Sequence, residues 1–570
     1  MSETSFSVAD AFLSQLANRG VDVLFYNAGT DFPPIAEAYE KAEQEGRKVP
    51  RAVLVPHENV AVAAAHGYYL ATGRMAAVMV HVGLGTANAI NGIFNACRQN
   101  IPILLLAGRT PWTESDLLGA RDNYIHWAQE MFDQAGMLRE LVKWDFELRH
   151  PHQLETAIDR GLAVANSDAK GPIYMVLPRE LLAFPASEPH QVAKATFPAL
   201  QATGLPEDEC RHIVSHWRKA KRPLVVTSSA GADPDVPALL GRLAEMSGTP
   251  VVQFRPRYVN LTGDHPCHGG WDASSRLAQS DFVLVLDSDV PWIPDQAEPD
   301  PNAVIVHIAP DALFSRYPLR GFRADIAVSA NIKRALQDLL NAWPKVSEVV
   351  EMRLEALRAE SRARRDARAS QVEDLALQEP IHPSWVSHCL DTICDSETVL
   401  VNEYPIDLGM MSHAHPAGYF SHSSAGGLGW ALGAAQGIKL GSPGKTVIAA
   451  VGDGAYMFGN PVPAHYSAKI NDAPTLTVIF NNGMWLAVHR STVSMYPAGA
   501  AAKANQPPMA QLDQDAAFEE AIKVSGGWGA KVTKPGDVLP QLTEALRVVR
   551  EEQRSAVLNV LVKPVLERKS

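Results

Sequence analysis

The sequence predicts an α/β chain built as three doubly wound parallel-sheet domains. Three observations predict it: short apolar, β-branched runs recur along the chain, Ala-rich stretches at helical spacing separate them, and the C-terminal runs break off abruptly into glycine, aspartate and asparagine. At 570 residues, with roughly 150 residues to a domain, three units account for the length. A composition of 46% hydrophobic and 20% charged residues can bury cores of that size, and no tract is polar enough to predict disorder.

In the first third, VDVLFYNAG, RAVLVP, MAAVMVHV and IPILLLAG alternate with ENVAVAAAHGYYLATG and TANAINGIFNACRQN, and GPIYMVLPREL closes the unit. Strands covered on both faces are apolar throughout, and helices between them return the chain for parallel pairing. A Pro-rich, polar stretch at 183–209 reads as a linker, so the first domain is assigned to 1–185. RPLVVTSSAGA, TPVVQFRP, DFVLVLDSD and NAVIVHIAP build a middle domain, 186–345. A charged helical linker follows at 346–380, whose segment RLEALRAESRARRDAR mixes bases with acids and alanines as a solvated helix face does. The third domain, 381–570, carries TVLVNE, KTVIAAVGDG, TLTVIFNNG and AVLNVLV.

A formal net charge of −12 argues against a nucleic-acid surface, which needs clustered Lys and Arg. Five scattered cysteines without a CxxC pair read as reduced thiols, so the expected setting is the cytoplasm. The N-terminal stretch has no basic run followed by an apolar core, and nowhere do ~18 apolar residues run together, so neither secretion nor membrane spanning is expected.

In open parallel sheets ligands sit beyond the carboxyl ends of the strands. There, one strand runs out into Gly452-Asp453-Gly454-Ala455 and another into Asn481-Asn482-Gly483, with a helix predicted between them at about 461–472. The two strands are therefore expected to be neighbours. An aspartate, an amide oxygen and peptide carbonyls are hard ligands suited to Mg²⁺, for which Ca²⁺ or Mn²⁺ could substitute, and not to Zn²⁺. Glycines let backbone N–H groups approach phosphate oxygens. The pattern therefore predicts a metal–diphosphate cradle, against the alternative of two ordinary turns.

GDGAYMFGNPVPAHYSAKINDAPTLTVIFNNG resembles the metal and diphosphate motif of thiamine diphosphate enzymes, which opens in GDG and closes on NN. The domain order resembles the branch of decarboxylases and acetolactate synthases: a pyrimidine-binding, a middle and a diphosphate-binding domain. Within it the pattern is nearest to the benzoylformate decarboxylases. The resemblance implies Mg²⁺ on Asp453, Asn482 and the Met484 carbonyl. It implies that Glu58, in HENVAVAAAHGYYLATG, touches the cofactor pyrimidine and drives the tautomer that takes up the thiazolium proton. SHSSAGGLGWALGAA would supply Leu428 as the prop that bends the cofactor and Gly426 as a carbonyl for its amine.

On the substrate side the same resemblance puts Thr30 in place of a serine, and His81 and His265 at two histidine positions. Histidines suit proton movement near neutral pH. His489 and Arg490 are expected either to meet an anion or to lie on a solvated lid, and a zinc site at His413, His415 and His422 is not expected because no fourth ligand is spaced for it.

The implied activity is decarboxylation of a 2-oxo acid, with carboligation through the same chemistry left open. The alternatives are a 2-hydroxyacyl-CoA lyase or oxalyl-CoA decarboxylase, using Arg255 and Arg257 against a nucleotide, an acetolactate synthase-like carboligase, and a non-catalytic subunit. The substrate is accordingly a small 2-oxo acid or a 2-hydroxyacyl thioester. FAD is left undecided, since no GxGxxG marks the middle domain. Because the two ends of the cofactor fall to different domains, a homodimer or homotetramer is expected.

Overall fold

The computed structural model describes residues 6–187, 197–344, 348–412, 415–504 and 508–565. Among them the first sheet holds β1 (Val23–Tyr26), β2 (Arg51–Leu54), β3 (Ala76–Val80), β4 (Ile103–Arg109), β5 (Asp145–Glu147) and β6 (Ile173–Pro178), in the order β2-β1-β3-β4-β6-β5. The second holds β7 (Pro223–Thr227), β8 (Val251–Gln253), β9 (Phe282–Leu286), β10 (Val304–Ala309) and β11 (Ile326–Ser329), ordered β11-β10-β9-β7-β8. The third holds β12 (Thr398–Glu403), β13 (Tyr419–Ser421), β14 (Thr446–Gly452), β15 (Leu476–Asn481), β16 (Trp528–Val532) and β17 (Ala556–Leu561), ordered β13-β12-β14-β15-β17-β16. The ladders within all three sheets are parallel.

The two outer sheets share one strand order, so each has its topological switch point in the same place, between β1 and β3 and between β12 and β14. A crevice forms there because neighbouring connections leave to opposite faces. The register of β14 on β15 sets Gly452 opposite Phe480, which delivers Asp453 and Asn482 to one edge, as expected. The strands that were not legible in the sequence, β5, β11, β13 and β16, all lie at sheet edges. An edge strand has one ladder and less cover, so it needs no long apolar run.

A long helix, Glu348–Ala376, joins the middle and last sheets and buries Val350, Leu354 and Leu357 against the middle core while its charges stay in solvent. The first and last domains pack directly through the helices Glu58–Thr72 and Ala431–Gly441, which are buried along most of their length. Glycines set how closely they approach: a Cβ on Gly437 would fall 1.9 Å from the Ala64 carbonyl oxygen, and one on Gly67 2.0 Å from that of Ala434. Backbone cannot move aside as a side chain can, so Gly437→Val should cost about 3 kcal/mol or more. Its thermal midpoint should fall by several degrees, whereas Gly444→Ala, which meets nothing within 4 Å, should leave it in place.

Candidate active site

At the β14 edge Asp453 begins a short helix, Asp453–Phe458, and is 2% exposed. Its Oδ2 accepts the Gly483 N–H at 2.9 Å, while Asn482 Oδ1 accepts the Met484 N–H at 3.0 Å. Burial pushes the Asp453 carboxyl up to about 6, with the Gly454 and Gly483 N–H groups opposing it. A carboxylate so destabilised is one that a cation would relieve. Gly454 lies under the Trp485 ring, Ala455 is buried, and the space over Gly452 is open. No group of three or more His, Cys, Asp or Glu side chains fit to hold a metal occurs among the described residues. A cation at this edge would therefore depend on amide and peptide oxygens beside the one carboxylate. The donors and the open glycine suit Mg²⁺ and a diphosphate.

The neighbouring turn carries Gly426, at φ +66°, and the half-buried Leu428. It is gripped from two sides. Glu403, at the end of β12, accepts the Gly429 and Ala431 N–H groups at 2.7 Å each, and burial pushes its carboxyl up to about 7. From the first domain, the helix Val82–Arg98 sends Asn91 to the Leu428 carbonyl at 3.0 Å and Asn95 to the Gly427 carbonyl at 2.8 Å. One turn earlier on that helix, Asn88 donates to Glu58 Oε2 at 3.1 Å. Asn88, Asn91 and Asn95 thus form one helical stripe that ties Glu58 to the prop turn. Their spacing within TANAINGIFNACR is the sequence signal for it.

Glu58 opens its helix after β2 and is 7% exposed; its other oxygen accepts from Asn27 Nδ2 at 3.0 Å, from the end of β1. His81 closes β3, and its Nδ1 lies 2.6 Å from Asp31 Oδ1. Thr30 precedes that aspartate, is exposed, and sets its Oγ1 3.4 Å from His126 Nε2. The first sheet's switch point therefore gathers Glu58, His81 and Thr30 on one edge. Asn27, Asp31, Glu403 and His126 are partners that sequence reasoning did not single out.

His265 lies in the middle domain. Its ring packs on Gly241, accepts the Cys267 N–H at 3.1 Å and stands 3.5 Å from Glu245, all within the middle domain. Of the two arginines considered for a nucleotide, Arg257 is 6% exposed and bound twice to Asp289, at 2.7 and 2.9 Å, whereas Arg255 is exposed. Against its burial, Arg257 and the hydroxyls of Ser424 and Tyr317 hold the Asp289 carboxyl well below the usual range. The solvated-lid alternative is corrected for His489, which is 2% exposed on the helix Leu486–Met495, while Arg490 donates to the Val565 carbonyl. His413 falls outside the described residues; His415 meets the Asp395 carbonyl, and the His422 ring lies 3.9 Å from that of Tyr404, tilted by 47°.

Residues 6–137 match the family described as thiamine pyrophosphate enzyme, N-terminal TPP binding domain, and residues 407–560 match its C-terminal TPP binding domain. Among curated proteins the chain is 24% identical over 524 residues to the acetolactate synthase isozyme 3 large subunit of Escherichia coli, covering 88% of this chain and 86% of that one. It is 25% identical over 578 residues to the sulfoacetaldehyde acetyltransferase of Rhodobacter capsulatus, covering 95% and 92%. Among solved structures, the thiamine diphosphate-dependent 4-hydroxybenzoylformate decarboxylase of Rhodococcus jostii superposes with a TM-score of 0.78 at 21% identity, over 99% of this chain and all of that one, a likeness of fold.

Proposed function

The chain belongs to the thiamine pyrophosphate enzyme family, carrying both of its cofactor-binding domains, and from that premise we propose that it is a Mg²⁺-dependent carbon–carbon lyase that decarboxylates a 2-oxo acid. The observation that carries the reading is the pair of proton-handling groups on one sheet edge: Glu58 held by two asparagine amides and His81 held by a buried carboxylate. When bound, thiamine diphosphate supplies a nucleophilic carbon and a sink for the electron pair that CO₂ leaves behind.

Asp453, Asn482 and the Met484 carbonyl would hold Mg²⁺, and Gly452, Gly454 and Ala455 the diphosphate. Leu428 and the Gly426 carbonyl would seat the pyrimidine. Glu58 would hold a proton toward the pyrimidine ring nitrogen, and His81 would move a proton at the substrate. The Thr30 hydroxyl would face the substrate, and its methyl would narrow the pocket relative to serine. With Arg257 buried, acyl-CoA cleavage would have only the exposed Arg255, of the two arginines considered, to meet a phosphate. Carboligation would use the same residues with a second carbonyl as acceptor.

Apolar side chains remain exposed near both strand-end clusters, Leu84 and Phe94 on one domain and Met457, Phe458, Val462 and Tyr466 on the other. They support a homodimer, paired or not into a tetramer, as the working unit. Five unpaired cysteines support a reducing compartment such as the cytoplasm, and no described helix is long and apolar enough to cross a membrane.

The deciding experiment follows CO₂ and aldehyde from a panel of aliphatic and aromatic 2-oxo acids, with thiamine diphosphate and Mg²⁺ present. CO₂ with matching aldehyde is the expected result; CO₂ without aldehyde would indicate ligation. No CO₂ from any acid, with cofactor bound, would overturn the reading.

A further inference from the structure

The His81 ring is met at both nitrogens. Nδ1 lies 2.6 Å from Oδ1 of Asp31, which is 2% exposed and whose Oδ2 accepts the Val82 N–H at 3.3 Å. The chain leaves room for the pair only through glycines: a Cβ on Gly29 would fall 2.1 Å from His81 Nδ1, and one on Gly108 2.0 Å from Asp31 Oδ2. At the other nitrogen, Nε2 stands 3.3 Å from the side-chain nitrogen of Gln129, whose carbonyl oxygen is buried without a partner.

The nitrogen and oxygen of an amide exchange places when the group turns over. Turned over, Gln129 would offer its oxygen to a protonated Nε2 while its nitrogen takes the oxygen's place, so the amide can partner either protonation state of the ring. The contact through oxygen needs a proton on Nε2, while the Asp31 carboxylate needs one on Nδ1. Only the imidazolium carries both.

Resting on the reading of His81 as a reacting group, we infer that Asp31 and Gln129 are positioning residues that hold His81 as the imidazolium, making its Nε2 proton the one delivered to substrate. On delivery the N–H bond breaks, a bond from hydrogen to the substrate forms, and the ring is left neutral with Nδ1–H still on Asp31. Solvent returns the proton.

The surroundings agree. The Asp31 hydrogen bond raises the His81 pKa, burial opposes it, and the Glu58 charge adds to the rise. His126 faces the ring from the segment Ile125–Ala128, and its own pKa is pushed down by burial and by Arg179, so it adds no competing charge near neutral pH. Asp122 pairs with both Arg179 and His126, at 3.1 and 3.3 Å. An acid with a raised pKa works below it, so activity should fall as pH rises through the His81 value. Removing Asp31 should move that fall to lower pH.

The test uses holoenzyme labelled with ¹⁵N in its histidine rings, with His81 assigned by the signal lost in His81→Asn. In the unaltered enzyme at pH 7 both His81 nitrogens should be protonated; a neutral ring would overturn the inference without any Asp31 variant having to fold. In Asp31→Asn the ring should lose its proton at least tenfold more readily, a fall of about one pKa unit. The alkaline limb of kcat should shift with it, while KM moves less. Gln129→Leu should shift the limb in the same direction by less. A ring that loses its charge in Asp31→Asn while the pH–rate profile stays put would overturn His81 as the donor. Failure of the decarboxylase reading itself would show separately, as no CO₂ from any acid.

Discussion

Glu58→Gln should lower turnover by ~10²–10⁴ while leaving cofactor affinity within a few-fold of the unaltered enzyme. The carboxylate sits between two donors, Asn27 Nδ2 at 3.0 Å and Asn88 Nδ2 at 3.1 Å, on a helix start fixed by the switch point of the first sheet. An amide of the same shape occupies that place but cannot hold or return a proton. It also turns its own N–H₂ toward one of two donors, and losing that hydrogen bond should cost about 1 kcal/mol of stability. The measurement pairs steady-state turnover with calorimetric titration of thiamine diphosphate. Unchanged turnover would remove Glu58 from the chemistry; loss of binding and turnover together would make it a binding residue.

The second large effect belongs to Asp453. Asp453→Asn keeps an oxygen for the Gly483 N–H, now 2.9 Å from Oδ2, so the turn should persist. It removes the one charge in the oxygen set, and thiamine diphosphate affinity in the presence of Mg²⁺ should fall by ~100-fold or more. Because burial already pushes this carboxyl up to about 6, its neutral counterpart should leave the protein without cofactor as stable as before or more so. Thermal midpoints separate the two effects. Mg²⁺ with thiamine diphosphate should raise the midpoint of the unaltered protein and not that of the variant, and chelating the cation should reproduce the variant's behaviour. A variant that still gains stability from both would place the cation elsewhere.

Much of this was legible in the linear sequence because the chemistry that writes it is local. A strand covered on both faces must be apolar for four to seven residues, as β3, β4, β14 and β15 are, and each such run announces itself without reference to its neighbours. Polar residues placed at the ends of those runs, Glu58, His81, Asp453 and Asn482, are likewise visible. They stand where the apolar pattern stops, and a parallel sheet puts such stops along one edge.

What lies between runs was decided by the tertiary structure. Whether His81 meets Asp31 or another carboxylate depends on β1 lying beside β3, which strand order alone settles. Asn95 reaches Gly427 because two glycine-bearing helices let the first and last domains close to backbone contact. Arg257 reads as a free cation in the sequence and becomes half of a buried pair once β9 brings Asp289 alongside it. The edge strands β5, β11, β13 and β16 form because a neighbour offers an unpaired ladder, a property of the neighbour and not of their own residues. Periodicity records which face of an element is buried; what it is buried against is a relation between distant segments, and only the folded chain brings those together.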